Sequence, residues 1–440
     1  VTETSQAITA ITNANPCVLT YSGADNYAIG DEIYISGIVG PIGTYLNNRN
    51  FKVAAVNTGT NAITLDYMNG TDVNSTSFGA YTSGGTIAEV YTIATPYLEA
   101  DLPLLKFVQS ADVITIVHPD YAPRELARTG HTAWTLTTIT FAPSFQKPSG
   151  ITGTPGAAGA IINMYSVTAI SEANGEESLR GVSGSTVTIT GATSANPVVI
   201  TSVGHGLLNG DPIFVTGVVG MTEINDRSFI VTNITANTFE LLGEDGAAHT
   251  AYSSSGTAQR IAVRVTGAAP TGAAPNVISW TAVPGASEYS VYRSDSNVPS
   301  FIGSTRTNSF NDTGVASDAL DNPPSDRNPF HDAGDFPSTV SYIQQRLTFA
   351  NTTNNPETTN MSRIGQFKNF TRSSPIQDDD AVTFTLAGRQ VNSVKSLIDI
   401  GRLVVFTASG EWAIQGDGDG SITPTAINPK QYTYNGSSDL

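Results

Sequence analysis

The sequence predicts an all-β, multi-domain protein, and three observations carry that expectation. Polarity comes from Thr, Ser and Asn more than from charge, since only 13% of residues are charged, and those side chains favour strands and turns over helices. Short alternating apolar runs recur along the chain, broken by many of its 41 Gly and 23 Pro. One long stretch is also written twice. With 440 residues, 39% of them hydrophobic, the chain can bury several cores, and its length suggests roughly two to four domains.

The duplication defines the first element. Asn15-Pro16-Cys17-Val18-Leu19-Thr20 is echoed by Asn196-Pro197-Val198-Val199-Ile200-Thr201, and Gly30-Asp31-Glu32-Ile33-Tyr34-Ile35-Ser36-Gly37 by Gly210-Asp211-Pro212-Ile213-Phe214-Val215-Thr216-Gly217. Asn48-Arg49-Asn50-Phe51 then matches Asp226-Arg227-Ser228-Phe229, and Asn61-Ala62-Ile63-Thr64-Leu65 matches Asn237-Thr238-Phe239-Glu240-Leu241. Such short runs, punctuated by Gly, Asn and Asp, predict a small antiparallel barrel in each copy. The barrels are expected over residues 1–90 and 187–262, with Phe51 and Phe229 at equivalent core positions. Because Glu32-Ile33-Tyr34-Ile35-Ser36 does not alternate cleanly, its strand is expected to be covered on both faces. The pattern resembles the FCCH-type barrel of ubiquitin-activating enzymes, which recurs as an insert in phage structural proteins. Cys17, in the apolar run Cys17-Val18-Leu19 with no His nearby in sequence, reads as a small buried hydrophobe and not as a thioester nucleophile.

Residues 91–186 change character. Lys106 to Gln109 and Val113 to Val117 predict a hairpin turning at Ser110-Ala111-Asp112, followed by a basic tail with Arg124 and Arg128. His118 lies close in sequence to Asp120 and Glu125. Its place at a strand end before Pro119, with no paired His and no nucleophile elbow, fits a turn better than catalysis. Gly150 to Gly159 is rich in Gly, Pro and Ala and reads as a linker, since no Lys-Ser/Thr pair follows to make a phosphate loop.

A sandwich is expected next, interrupted by the second barrel. Tyr165 to Ile170 is one strand, and Asn276 to Trp280, Ala286 to Arg293 and Phe301 to Asp312 supply the others, with Trp280 as core anchor. If one sandwich is interrupted, Tyr165 to Ile170 must pair with strands from Val277 to Arg293, and a folded insert makes that closure tolerable. Residues 263–335 then continue the sandwich, and 336–440 open a β-propeller, with Leu403 to Thr407 and Glu411 to Ile414 flanking Ala408-Ser409-Gly410 as a blade hairpin.

The ordered series Thr95-Pro96-Tyr97, Gln109-Ser110-Ala111-Asp112, His118-Pro119, Pro123-Arg124-Glu125-Leu126 and Trp134 resembles the platform of podophage tail nozzle proteins, also called tail tubular protein B. Gln344-Gln345-Arg346-Leu347, Asn355-Pro356, Met361-Ser362-Arg363-Ile364-Gly365, Asn369-Phe370, Asp378-Asp379-Asp380-Ala381 and Gln390-Val391-Asn392 resemble the segment that opens their propeller. The resemblance implies a fibronectin-like region after the platform, a homohexameric ring, a portal-adaptor ring and tail fibres or spikes as partners, and a location in the virion tail. It further implies contact with the host envelope only indirectly, DNA passing through without specific binding, and no enzymatic activity.

Charge fits that picture. Acidic residues outnumber basic ones 38 to 21, giving −17, so the average surface repels phosphate. No cofactor, catalytic residue or metal site is expected. Asp378-Asp379-Asp380 and the group Glu411, Asp417 and Asp419 are acidic, but they lack the alternate-position ligands, central Gly and distal Glu of a calcium loop. No apolar run approaches the roughly 18 residues of a membrane span. A start without Met and an end at Leu440 without turn logic suggest a fragment of a longer chain. The alternative from another class is a surface adhesin binding host glycans through tandem β-modules. Glycan hydrolysis is a further alternative, because paired carboxylates in a β-protein cannot be read from spacing.

Overall fold

Six strands open the chain and close on themselves: β1 (Gln6–Ile11), β2 (Val18–Tyr21), β3 (Glu32–Val39), β4 (Arg49–Asn57), β5 (Ala62–Asp66) and β6 (Ser83–Glu89), in the barrel order β1-β2-β5-β4-β3-β6. β6 returns to β1 at Gln6 and Ile87. This computed structural model describes residues 2–24, 27–295, 298–388, 392–417 and 420–438. It is 47% strand and 3% helix, an all-β, multi-domain fold. Two compact units are present: Val1–Leu98 with Ser110–Val113 and Leu126–Thr137, and Glu99–Gln109 with Ile114–Glu125 and Thr138–Leu440.

Inside the first barrel Leu19, Ile33, Ile35, Phe51, Ile63 and Leu65 form the core. The expected double coverage of the Glu32–Ser36 strand is corrected. Ile33 and Ile35 point inward while Glu32 and Tyr34 are half-buried on the other face. A closed barrel has only one interior, and outside it Tyr34 keeps its hydroxyl polar by donating to Asn48 Oδ1 at 3.1 Å.

After the barrel come β7 (Lys106–Ser110), β8 (Val113–His118), β9 (Tyr121–Gly130) and β10 (Ala133–Thr138), a four-stranded sheet in the order β10-β9-β8-β7. The turn at Ala111 takes φ 51°. The expected basic tail is strand β9, so Arg124 and Arg128 belong to the sheet.

The sandwich begins with β11 (Ser149–Thr154) and β12 (Ile161–Ser171). The expectation of a linker from Gly150 to Gly159 is therefore corrected. β11 pairs antiparallel with a later strand, Gly153 opposite Ile278, and its glycines are small where packing is closest. A Cβ on Gly153 would meet Val265 Cγ2 at 2.2 Å, and one on Gly156 would meet the Ala274 backbone at 2.3 Å. Composition suggested freedom, but the need is for close approach.

The second barrel follows as β13 (Ser183–Thr188), β14 (Gly191–Ala192), β15 (Val199–Thr201), β16 (Pro212–Thr216), β17 (Arg227–Thr232), β18 (Thr238–Leu241) and β19 (Thr257–Arg260). Its order, β14-β15-β18-β17-β16-β19-β13, is that of the first barrel with the β1 counterpart split in two. Phe51 faces Ile33, and Phe229 faces Ile213. Asn47 clamps the backbone of Ile38 through both amide groups, as Asn225 clamps Val218. The strand ladder reaches back to Ser183, before the expected start at 187, because Ser183 pairs with Arg260.

Strands β20 (Val263–Gly267), β21 (Asn276–Thr281), β22 (Ala286–Asp295), β23 (Val298–Thr305) and β24 (Ser309–Asp312) complete the sandwich. One face is the sheet β20-β12-β22-β23 and the other carries β13-β11-β21-β24. Tyr165 pairs with Arg293 and Ile170 with Glu288, across the insertion. Between the faces lie Ile151, Tyr165, Val167, Ile278, Trp280 and Val291, with the Trp280 ring 5.2 Å from that of Tyr289.

Two four-stranded antiparallel sheets end the chain: β25 (Thr339–Ile343), β26 (Arg346–Ala350), β27 (Thr358–Met361) and β28 (Val382–Thr385), then β29 (Val394–Asp399), β30 (Leu403–Thr407), β31 (Gly410–Gln415) and β32 (Asn428–Thr433). Each runs in sequence order, and Ile343, Met361 and Val382 of the first share a core with Leu403, Val405 and Trp412 of the second. That is how neighbouring propeller blades stack. Gln390 and Val391 lie outside the described residues.

Candidate functional site

The residues singled out from sequence have structural partners that account for them. Cys17 is wholly buried in the first barrel, and burial pushes its thiol pKa up. Its counterpart in the second barrel is Val198, also wholly buried, and both residues accept a hydrogen bond from a strand partner, Leu65 N–H onto Cys17 O and Leu241 N–H onto Val198 O. A valine in the same seat marks the cysteine as a packing residue. His118 is buried at the end of β8, where Nδ1 accepts the Asp120 N–H at 3.1 Å. The exposed Asp120 carboxylate stands 4.0 Å from His118 Nδ1, while Glu125 pairs with Lys368 Nζ at 2.6 Å.

The Asp378-Asp379-Asp380 turn is held by two arginines. Arg346 is 0% exposed and donates to the carbonyls of Ser362 (2.7 Å), Asp378 (3.0 Å), Asp379 (3.3 Å) and Asp380 (2.6 Å). Burial pulls its guanidinium pKa down to about 10, which leaves it charged at neutral pH. Arg363 pairs with the Asp379 carboxylate at 2.7 Å and with that of Asp380 at 2.6 Å. The guanidinium groups engage the carbonyls and two of the carboxylates of this turn, an arrangement the acidic run alone could not reveal. Glu411 accepts from the Thr433 hydroxyl, and Asp417 accepts from Asn428 Nδ2 at 2.6 Å. Asp419 lies outside the described residues. Among the described residues no group of three or more His, Cys, Asp and Glu is placed to hold a metal ion.

Sequence reasoning missed the junction where sandwich and blades meet. The loop Asn174-Gly175-Glu176-Glu177-Ser178 turns back after β12, shaped by Asn174 Oδ1 accepting the Glu176 N–H. Glu176, 1% exposed, then accepts from Ser144 N–H (3.0 Å), the Ser144 hydroxyl (2.7 Å) and Asn369 Nδ2 (3.0 Å). Next to Asn369, Phe370 enters an aromatic cluster with Phe141, Phe330 and Phe349. Glu177 accepts from the Thr168 hydroxyl at 2.5 Å and the Tyr292 hydroxyl at 2.8 Å, and burial raises its pKa. A loop carboxylate two residues from a glycine was the one visible signal.

Two apolar surfaces are open. Leu102, Leu104 and Phe107 are 55%, 47% and 68% exposed at and before the edge strand β7. The outer face of β29–β32 carries a cavity of about 500 Å³ lined by Ile400, Arg402, Val404, Phe406, Glu411 and Tyr432. Exposed apolar groups of this kind mark places where a protein meets something else.

The family model of the ubiquitin-activating enzyme E1 FCCH domain matches residues 195–261, the second barrel. A search of curated proteins found no match. Among solved structures the chain is similar to the phage phi92 endosialidase at 12% identity and a TM-score of 0.15, over 74% of this chain and 56% of that one. The comparisons thus reach an FCCH-type module and a phage protein. The expectation of no enzymatic activity is corrected by them, because the phi92 protein is an enzyme by its name. The physical reason is that sheet register, and not sequence spacing, brings carboxylates together in a β-fold, so a missing motif excludes nothing.

Proposed function

We propose that the chain is a component of a phage tail and, more finely, one subunit of a six-membered nozzle ring through which DNA leaves the particle. One observation carries this reading. Asn369-Phe370, one of the motifs that resemble nozzle proteins, is tied to the loop at Asn174–Ser178, far away in sequence, by the 3.0 Å hydrogen bond from Asn369 to Glu176. The open apolar groups near β7 supply surface for heterologous contacts between identical subunits. A portal-adaptor ring and tail fibres or spikes are the neighbours such a ring requires. With −17 per subunit, a hexamer would gather about a hundred net negative charges around one axis, so assembly should need salt to screen them. The same charge keeps passing DNA from adhering.

The test is mass photometry and particle imaging. A hexamer that forms at physiological salt, dissociates at low ionic strength and sits at the end of a short tail supports the proposal. A salt-indifferent monomer, or tight duplex binding by the purified protein, sinks it. A second reading, an adhesin for host glycans, is favoured by the cavity that combines Phe406, Tyr432 and Arg402 on the outer face of the last sheet. Glycan-array binding by a monomer would select it.

A further inference from the structure

A cleft beside the second barrel holds an arginine whose donors are unused. The cleft measures about 400 Å³ and is lined by Arg180, Pro212, Arg227, Ser228, Ile230 and Leu242. Arg227 is neutralised within it by a bidentate pair with Glu244, at 2.6 and 2.7 Å. Arg180, from the sandwich, has no hydrogen bond or ion pair among the described residues. The nearby Lys147 is in the same state, with Nζ 4.3 Å above the centre of the Phe214 ring, and Phe214 is the cross-strand neighbour of Ser228.

Asp326 faces both of these cations, and Asp226 faces Lys147 as well. Asp326 spends its oxygens on Ser228, accepting the N–H at 2.6 Å and the hydroxyl at 2.8 Å. Burial lowers the pKa of both Lys147 and Arg180, and the field of Asp326 opposes that shift in each. Arg180, Arg227 and Lys147 thus stand against Glu244, Asp326 and Asp226, and the guanidinium of Arg180 keeps unused donors in the cleft. In the first barrel Tyr34 and Asn50 hold the positions of Phe214 and Ser228 and bond within their own barrel, to Asn48 and Glu32. The cationic groups come from the sandwich, so the site belongs to the second copy by virtue of its insertion.

We propose that this cleft binds the carboxylate of an acidic sugar. A guanidinium fork matches a carboxylate bidentately, and Pro212, Ile230 and Leu242 offer the apolar wall that a sugar ring can lie against. The volume suits one monosaccharide unit, at the lower end of ordinary ligand clefts. The proposal does not depend on ring assembly.

Titration calorimetry of the intact chain with glucuronate, glucose and inorganic phosphate tests it. Glucuronate should bind and glucose should not. Arg180→Ala should weaken glucuronate at least tenfold, Arg180→Lys less, and Asn50→Ala in the first barrel not at all. If Arg180→Ala fails to fold, as judged by its melting curve, Lys147→Met should still show a loss of binding. Glucuronate binding that ignores both substitutions, phosphate binding tighter than glucuronate, or no glucuronate binding at millimolar concentration would each overturn the assignment.

Discussion

Replacing Arg346 with Ala should loosen the first blade sheet more than any surface change. The side chain is 0% exposed and holds four backbone carbonyls, two of them at 2.6 and 2.7 Å. Hydrogen bonds from a charged donor contribute about 1.5–3 kcal/mol each, and a carbonyl left buried without a partner costs a similar amount. Counting only the two shortest bonds gives about 3 kcal/mol, at the low end of the roughly 3–5 kcal/mol seen when one partner of a buried ion pair is removed. The chain has several cores, so a single unfolding free energy is not well defined. Hydrogen exchange of the amides in β26 and β27 reads the local opening instead. At about 1.4 kcal/mol per decade, protection should fall on the order of a hundredfold. Arg346→Lys should recover little, since a single ammonium lacks the fork that reaches carbonyls on both sides. Exposed-face Arg402→Ala serves as control, with a change under about 0.5 kcal/mol. Protection in Arg346→Ala within threefold of the parent would refute the view that this guanidinium, and no metal ion, organises the Asp378–Asp380 turn.

Other outcomes follow from single contacts. Cys17→Val should cost under about 1.5 kcal/mol, because the second barrel already uses valine there, and the native thiol should react with a disulfide reagent only after denaturant is added. Gly153→Ala should destabilise by about 1–3 kcal/mol, measured by chemical denaturation, since the new methyl has Val265 in its way. Glu177 has a folded-state pKa raised by burial. A raised carboxyl favours the protonated fold, so its contribution is present below the unfolded value near 4.3 and is lost as pH rises through the folded value. Glu177→Gln should therefore gain melting temperature over the parent as pH climbs from 4 to 7, and a gap that stays constant with pH would exclude the assignment.

Much of this architecture was legible because its signals are local. The two barrels announce themselves through matched turn residues, and the pairing of Tyr165 with Arg293 follows from alternating strands on either side of an insert. What escaped is what depends on register. Gly150 to Gly159 has a linker's composition, yet close packing against Val265 and Ala274 is what demands small residues. Tyr34 looked like an interruption of an apolar strand, but its ring lies on the outside where its hydroxyl is bonded. The partners of Asp380, Glu176 and Asp326 come from elsewhere in the fold, and no spacing rule connects Arg363, Ser144 or Ser228 to them. Hence the acidic run showed no ligand pattern but gave no hint of its arginine partners, and the cleft at Arg180 did not register.

The pairing of Ser183 with Arg260 has a consequence for how such chains diversify. Directly paired antiparallel residues stand about 5 Å apart, so the second barrel enters and leaves the sandwich at nearly one point. Cutting the barrel out would leave two ends that a very short loop could join, with β12 still zipped to β20 and β22. The sandwich is in effect a socket. Any compact domain whose termini lie side by side could be plugged into it, and the surface it displays could change without retuning the core that holds it.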